Sequence, residues 1–319
     1  MKKIVVVNPV FQNSHLERIS RAAAESGYQA VFFQTADEAR SDMPDAEILF
    51  GYAPDLVKDA PCLRWVCTPN AGTEPYAQPG FLSAGVILSN SAGAYGLTIA
   101  EHIVMVTLEM MRRRAEYIGI VRRKEWTRDL HIDAIRGSRI TLLGTGDIGR
   151  ECAKRLRAFE PASMTGVNLR GGNPDGLFDR IVKTERLEEV LPETDLLILS
   201  LPSTPETRGI LNGRRLAMLP DGARLVNVGR GSAVDQKALE KLLREGKLAG
   251  AALDVFEEEP LPAGDSLWDC PGLLITPHIA GNMTLDYTVE RIVGQFLENL
   301  RNYAAGLPLR HIVDRKRAY

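Results

Sequence analysis

The stretch RITLLGTGDIG, at residues 139–149, decides the fold because three glycines join an apolar run to a helical pattern. The apolar run predicts a buried strand, and the amphipathic segment ECAKRLRAF that follows predicts a helix. Between them Gly144 permits a tight turn, Gly146 lets the backbone approach a pyrophosphate, and Gly149 lets helix and strand pack closely. The helix N-terminus then offers free N–H groups and a partial positive charge to that pyrophosphate. We therefore expect a dinucleotide-binding unit here, with a plain glycine turn as the alternative.

The end of the next predicted strand, MTGVN, bears on which dinucleotide is bound. NAD sites usually place an Asp or Glu about 20 residues past the glycines, where it holds the ribose hydroxyls. This chain has Asn168 at that place and Arg170 two residues later. No carboxylate is present to repel a 2′-phosphate, and the arginine could pair with one. We expect NADP(H) to be preferred; NAD(H) remains possible if Arg170 faces solvent and Asn168 bonds the ribose.

Short apolar runs alternate with amphipathic segments on both sides of the glycine turn. The apolar runs before the turn are IVVV, AVFF, AEILFG, LRWVCT and GVILSN. A second series begins with RITLLG at the turn and continues with MTGVN, LLILSLP, ARLVNVG, AGAALDV and LLITPH. Strands separated by helices of this length predict parallel sheets that are covered by helices. The chain is therefore expected to contain two α/β units.

Two long helical patterns mark where the chain passes from one unit to the other. The first runs from Thr98 to about Lys124, and the second runs from about Leu285 to Tyr303. We infer a Rossmann-type dinucleotide-binding domain inserted into a flavodoxin-like α/β substrate domain. The expected limits are 97–287 for the inserted domain and 1–96 plus 288–319 for the substrate domain.

Composition favours a small-molecule partner. The 319 residues are 45% apolar and 25% charged, and 39 Lys and Arg against 41 Asp and Glu leave a net charge of −2. Nothing in this balance favours nucleic acid or an anionic membrane. The longest apolar stretch is broken by Glu109 and is far shorter than the roughly 20 residues of a membrane span. Four scattered cysteines without a CxxC pair favour a reducing, cytoplasmic location.

Polar residues follow three predicted strands of the second series. Arg230 lies between two glycines in LVNVGRG, the acid cluster Glu257 to Glu259 precedes Pro260, and His278 follows a proline in LLITPH. Ligands bind outside the carboxyl ends of strands in open α/β sheets. Each residue alone is weak support for chemistry, since a lone histidine is more often structural and the acids could form a charged turn. Arg, Glu and His on successive strands are far less expected by accident.

In these and further motifs the sequence resembles the D-isomer-specific 2-hydroxyacid dehydrogenases, a group that includes glyoxylate/hydroxypyruvate reductases. Collinear motifs carry the resemblance through most of the chain: Asn70-Ala71-Gly72, Ala100-Glu101-His102, GTGDIG, LPSTPETRGIL, VNVGRG, DVFEEEP and TPHIAG. The resemblance implies reduction of a 2-oxoacid to the D-2-hydroxyacid, with Arg230, Glu259 and His278 as the catalytic residues. It further implies a set of cofactor-binding positions, with Asp254 near the nicotinamide carboxamide: Asp147, Ile148, Pro202, Thr207, Val228, Gly229, Asp254 and Gly281.

The chemistry of each side chain indicates the role of the residues that the resemblance implies. His278 as imidazolium is the expected proton donor, because imidazole titrates near neutral pH. Glu259, if it bonds the other ring nitrogen, would fix the tautomer and favour the charged ring. Arg230 would hold the substrate carboxylate and polarise the carbonyl. The backbone N–H groups of Ala71 and Gly72 would, as the resemblance implies, also bind the carboxylate.

Two further expectations concern assembly and a rival function. The apolar face of the first crossing helix, with Ile99, Ile103, Val106 and Met110, is expected to be the contact of a homodimer. The rival function is a dinucleotide-sensing regulatory protein of the same fold with little turnover. Glyoxylate, hydroxypyruvate and bulkier 2-oxoacids are all compatible with these motifs as substrates.

Overall fold

The structure is a computed structural model, and it describes residues 2–315. The chain divides into two compact units, one of Met1–Tyr95 with Met283–Tyr319 and one of Gly96–Asn282. The second unit is thus a continuous piece of chain that interrupts the first.

The strands follow the predicted apolar runs. In chain order they are β1 (Lys2–Val7), β2 (Tyr28–Phe33), β3 (Ala46–Gly51), β4 (Trp65–Cys67), β5 (Ile87–Ser89), β6 (Arg139–Leu143), β7 (Ser163–Asn168), β8 (Arg180–Lys183), β9 (Leu196–Leu199), β10 (Arg224–Asn227), β11 (Gly250–Leu253) and β12 (Leu273–Ile275). Every ladder between them is parallel.

The α-helices connect these strands. They are α1 (Asn13–Glu25), α2 (Ala36–Ala39), α3 (Gly96–Met111), α4 (Arg114–Arg122), α5 (Asp147–Arg157), α6 (Gly213–Ala217), α7 (Gln236–Arg244) and α8 (Asp286–Ala304). Short 3₁₀ helices lie at Arg40–Asp45, Pro54–Asp59, Thr184–Glu189, Leu191–Glu193, Gly231–Ala233 and Ser266–Asp269. No helix within residues 2–315 has the length and apolar character needed to cross a membrane.

The first unit is a five-stranded sheet of order β2-β1-β3-β4-β5. This is the flavodoxin-like order of a doubly wound sheet. Its core includes Phe50 of β3, whose ring stacks on Phe296 of α8 with 3.9 Å between centroids. The C-terminal helix therefore completes the core of the unit that begins at the N-terminus.

The second unit is a seven-stranded sheet of order β12-β11-β10-β9-β6-β7-β8. The order reverses at β6, whose neighbours are β7 and β9, and such a switch point is where doubly wound sheets bind dinucleotides. All four residues of β9 are buried, as expected for a central strand covered on both faces. Both sheets confirm the predicted fold class.

Three local features differ from the sequence expectation. The continuous helix expected from Thr98 to Lys124 is two helices, because Arg113 adopts a left-handed conformation with φ of 52° between α3 and α4. The segment RLEEVL, at residues 186–191, has a sequence pattern that predicts an α-helix, yet it begins within the 3₁₀ helix Thr184–Glu189. The edge strand β8 was not predicted, because its sequence RIVK places only two apolar residues between two cations.

Candidate active site

The glycine turn lies at the switch point, between the end of β6 and the start of α5. Gly144 has φ of 104°, a conformation that favours glycine. A Cβ on Gly149 would overlap the carbonyl oxygen of Gly144, so the third glycine is required for the helix to approach the strand. A Cβ on Gly146 would meet no atom within 4 Å, so open space faces this glycine. The turn thus fits the three roles expected of it.

The N-terminus of α5 follows Gly146 directly. The first helical hydrogen bond runs from Arg150 N to Gly146 O at 2.9 Å, which leaves the N–H groups of Asp147, Ile148 and Gly149 ahead of it. The Asp147 carboxylate faces Gly96 of α3 instead, and its Oδ2 is buried without a hydrogen bond within residues 2–315. These free N–H groups and the open space at Gly146 suit the diphosphate of a dinucleotide.

Asn168 ends β7 and organises the turn after it. Its Oδ1 accepts hydrogen bonds from the backbone N of Arg170 at 3.0 Å and of Gly171 at 2.6 Å. Its Nδ2 donates to Thr145 Oγ1 at 2.7 Å and to the Gly172 carbonyl at 3.1 Å. The Arg170 side chain is exposed and has no hydrogen bond or ion pair within the described part of the chain. The turn therefore presents an unpaired cation and a neutral, already bonded amide.

Four other predicted cofactor positions lie on the loops after β9 and β10. The Thr207 hydroxyl donates to the Pro202 carbonyl at 2.7 Å, which closes the loop between them. Val228 is buried, and a Cβ on Gly229 would approach Leu201 N at 2.7 Å. Gly229 therefore lets the ends of two neighbouring strands pack closely.

His278 follows β12 in a left-handed conformation, with φ of 54°. Its Nδ1 lies 2.7 Å from Glu259 Oε2, and Glu259 Oε1 accepts a hydrogen bond from Phe256 N at 2.8 Å. The His278 side chain is 51% exposed, and its Nε2 has no hydrogen bond within residues 2–315. Since the carboxylate fixes the ring through Nδ1, Nε2 is the nitrogen available for proton transfer.

Asp254 anchors the turn that carries His278. Its carboxylate is 2% exposed, and it accepts hydrogen bonds from Thr276 Oγ1 at 2.6 Å, Ile279 N at 2.9 Å and Ala280 N at 2.9 Å. Its carbonyl accepts from His278 N at 2.9 Å. The predicted position near the carboxamide thus also has a structural task, which is to hold residues 276–280. Gly281 follows this turn directly.

His102 of α3 contacts the same anchor, although its sequence context favours simple packing. Its Nε2 lies 3.3 Å from Thr276 Oγ1 and 4.0 Å from Asp254 Oδ1. Because Thr276 gives its only hydroxyl proton to Asp254, its oxygen accepts from His102, which fixes the proton of the neutral ring on Nε2. Burial lowers the pKa of His102, against the opposing charges of Asp254 and Glu109. No sequence signal joined this histidine to Thr276.

Arg230 follows the loop after β10. Its Nη1 donates to the Gly229 carbonyl at 2.8 Å. A Cβ on Gly231 would overlap the Phe256 carbonyl, so this glycine brings the arginine loop against the segment that leads to Glu259. The structure thus places the loops of Arg230, Glu259 and His278 together at the carboxyl ends of β10, β11 and β12.

In the first unit, a loop with Ala71 and Gly72 follows β4. Three of its carbonyl groups accept hydrogen bonds from the protein: Pro69 O from Tyr95 Oη at 2.7 Å, Asn70 O from Ser91 N at 3.0 Å, and Ala71 O from Asn90 Nδ2 at 2.7 Å. The backbone N–H groups of Ala71 and Gly72 have no acceptor within residues 2–315. Two free donors on a fixed loop suit a carboxylate.

No group of three or more His, Cys, Asp or Glu side chains within the described residues is arranged to hold a metal ion.

This arrangement agrees with a family model. Residues 104–280 match the NAD-binding domain of the D-isomer specific 2-hydroxyacid dehydrogenases. The chain belongs to this family. Its curated relatives include the glyoxylate reductase of Thermofilum pendens, which is 32% identical over 231 residues, or 71% of this chain and 68% of that protein.

Two further members of the dehydrogenase family complete the comparison. The D-3-phosphoglycerate dehydrogenase of Bacillus subtilis is 33% identical over 235 residues, which are 72% of this chain but only 43% of the length of that relative. Among solved structures, the NADPH-dependent glyoxylate/hydroxypyruvate reductase of Sinorhizobium meliloti, in complex with NADP and sulfate, has a TM-score of 0.83 at 27% identity. The alignment covers 100% of both chains. Dehydrogenases of this family are NAD(P)-dependent oxidoreductases that act on CH–OH groups.

Proposed function

We propose that this dehydrogenase reduces a 2-oxoacid to the D-2-hydroxyacid with a hydride from NAD(P)H. The observation that carries the proposal is the 2.7 Å contact between His278 Nδ1 and Glu259 Oε2, which leaves Nε2 free. In this proposal residues 97–287 bind the dinucleotide, and residues 1–96 with 288–319 form the substrate domain. The cofactor, when bound, supplies the hydride that adds to the carbonyl carbon.

His278 is the acid in this proposal. Reduction places negative charge on the carbonyl oxygen, and the proton on Nε2 of the imidazolium neutralises it. Glu259 stabilises the imidazolium through Nδ1 and holds the ring in one orientation. In the reverse direction Nε2 of the neutral ring accepts the hydroxyl proton. Asp254 acts through the turn, because it holds the backbone of His278 and of the two residues after it.

Arg230 is the residue that we propose to hold the oxoacid in the second unit, and the Ala71–Gly72 loop is a proposed carboxylate-binding element of the first unit. The guanidinium of Arg230 offers its planar donors to the carboxylate and draws electron density from the carbon that accepts hydride. The free N–H groups of Ala71 and Gly72 offer two further donors to a carboxylate. The Arg230 guanidinium is charged and the Ala71–Gly72 loop is fixed before substrate binds, so the free-energy cost of reorganising these donors is low.

The preferred cofactor in this proposal is NADP(H). Asn168 brings no negative charge to the end of β7, and Arg170 is exposed and unpaired within residues 2–315. A 2′-phosphate would pair with this arginine. The solved reductase from Sinorhizobium meliloti, which holds NADP, supports the same cofactor class. A clear preference for NADH in catalytic efficiency would contradict this part of the proposal.

We also propose that the protein forms a homodimer and is located in the cytoplasm. The apolar residues expected at the dimer contact, Ile99, Ile103, Val106 and Met110, are instead buried within the chain. Exposed apolar groups nearby in sequence are Val121 at 68% and Trp126 at 92%, and these are the contact that we propose for a second copy. A monomer mass in sedimentation would contradict the dimer. All four cysteines are free thiols, which suits a reducing compartment.

The decisive experiment follows NADPH consumption with a series of 2-oxoacids graded by side-chain size, beginning with glyoxylate and hydroxypyruvate. Turnover with at least one of them, and D-configuration of the product, are the expected results. His278→Ala is the matched variant, and its folding is checked by circular dichroism. Tight NADPH binding without turnover across the whole series would instead favour a dinucleotide-sensing regulatory protein.

A further inference from the structure

Lys183, at the end of β8, lies beside the turn that follows Asn168. Lys183 pairs with Asn168 in the parallel ladder between β7 and β8. A Cβ built on Gly171 would lie 3.5 Å from both Cγ and Cε of Lys183. The lysine stem therefore crosses the face of Gly171, and the amine lies one bond beyond the atom that makes this contact.

The Lys183 amine has no partner of its own. The side chain is exposed, and within residues 2–315 it makes no hydrogen bond or ion pair. The acid of the adjoining loop, Asp175, is already 3.5 Å from Arg150 of α5. Glu185 lies two residues beyond Lys183 and makes no ion pair with it. Two unpaired cations, Arg170 and Lys183, thus flank one turn.

The turn itself is fixed before any ligand binds. Asn168 bonds the backbone N–H groups of Arg170 and Gly171 and the carbonyl of Gly172. Arg170 therefore projects from a fixed turn, and Lys183 lies beside that turn at the end of β8. The turn follows the strand end where the adenosine ribose of a Rossmann cofactor binds. A 2′-phosphate carries close to two negative charges and three acceptor oxygens, more than one guanidinium satisfies.

We infer that Lys183 is a second cation for the 2′-phosphate of NADP(H). This inference rests on the proposed NADP(H) preference, and it extends that preference from Arg170 to a residue on the neighbouring strand. The competing explanation is that Lys183 only protects the edge of the sheet, since β8 is the last strand and lysines discourage edge pairing.

The test measures binding of two cofactor fragments, 2′,5′-ADP and 5′-AMP, by calorimetry with the full-length protein. The fragments differ only by the 2′-phosphate. For Lys183→Gln we expect Kd for 2′,5′-ADP to rise about tenfold, the loss of one charge-assisted contact, while Kd for 5′-AMP stays within about twofold. The salt dependence of 2′,5′-ADP binding should also become shallower. Lys183→Arg should keep most of the affinity.

Lys237→Gln is the matched control, because Lys237 is an exposed lysine of α7 in the same unit. It should change neither Kd. An unchanged ratio of the two Kd values in Lys183→Gln, with wild-type protein favouring 2′,5′-ADP, would overturn the inference and leave the NADP(H) preference intact. A wild-type protein that binds both fragments equally would overturn both. Fragment discrimination through Lys183 without 2-oxoacid turnover would overturn only the proposed reaction.

Discussion

Glu259 bonds two partners at once, with Oε2 2.7 Å from His278 Nδ1 and Oε1 2.8 Å from Phe256 N. The backbone N–H fixes the carboxylate, and the carboxylate in turn fixes the imidazole. A neutral amide of the same shape cannot stabilise the imidazolium, and its NH₂ group would favour the wrong tautomer.

Glu259→Gln is therefore expected to lower kcat by about a hundredfold or more, with a smaller effect on cofactor binding. Steady-state kinetics at saturating NADPH measure the first quantity, and fluorescence titration of NADPH measures the second. Glu258→Gln is the control, since Glu258 is the exposed neighbour in the same acid cluster. Equal activity of the two variants would remove Glu259 from the mechanism.

Asp254→Asn tests the anchor of the histidine turn. The substituted NH₂ group would face a backbone N–H that the carboxylate now accepts, so a buried donor is left unpaired. We expect the free energy of unfolding to fall by about 2–4 kcal/mol. Chemical denaturation measures this change, and kcat should fall as well because His278 loses its backbone support. An unfolding midpoint equal to that of the wild type would show that the anchor contributes little.

His102 predicts a pH dependence of stability. Its pKa is lowered in the folded chain, so the folded state takes up this proton less readily than the unfolded state does. The free energy of unfolding should therefore decrease as pH falls below the unfolded histidine pKa of about 6.5, and this contribution should be constant above it. His102→Gln keeps a donor for Thr276 but does not titrate. Thermal unfolding from pH 8 to pH 5 should therefore decline less steeply in the variant, and parallel declines would argue against this role of His102.

Two glycines of the cofactor turn should respond differently to alanine. Gly149→Ala places a methyl group on the Gly144 carbonyl and should destabilise the second unit, by about 1–3 kcal/mol, through overpacking. Gly146→Ala meets no protein atom within 4 Å and should leave the unfolding midpoint unchanged. Its methyl group would still obstruct a pyrophosphate, so Kd for NADPH should rise about tenfold or more. Denaturation and titration of both variants separate the two effects.

Local patterns predicted much of this molecule. The apolar runs predicted eleven of the strands within the described residues, and the glycine spacing predicted the turn at the switch point. Such features depend on residues that are neighbours in the sequence, so they can be predicted without a structure. Strand β8 could not be predicted from the sequence, because an edge strand of four residues carries no periodic signal.

Contacts between distant parts of the chain could not be predicted from the sequence. His102 and Thr276 are 174 residues apart, and neither carries a motif that indicates the other. The break at Arg113 also escaped prediction, because arginine is a good helix former and nothing in its neighbours requires a left-handed residue. The predicted role of Asp254 near a carboxamide gave no hint of its hydrogen bonds to the turn of His278.

The insertion has a consequence for synthesis. Phe50 is made before the inserted unit, yet the ring that covers it, Phe296, belongs to a helix made after that unit. The first unit therefore emerges from the ribosome with part of its interior uncovered and stays so while the whole of the inserted unit is produced. The inserted unit has no such delay, since all of its strands arrive in one uninterrupted segment. Nascent chains of this dehydrogenase should thus need protection of strands β1–β5 for longer than of the inserted unit.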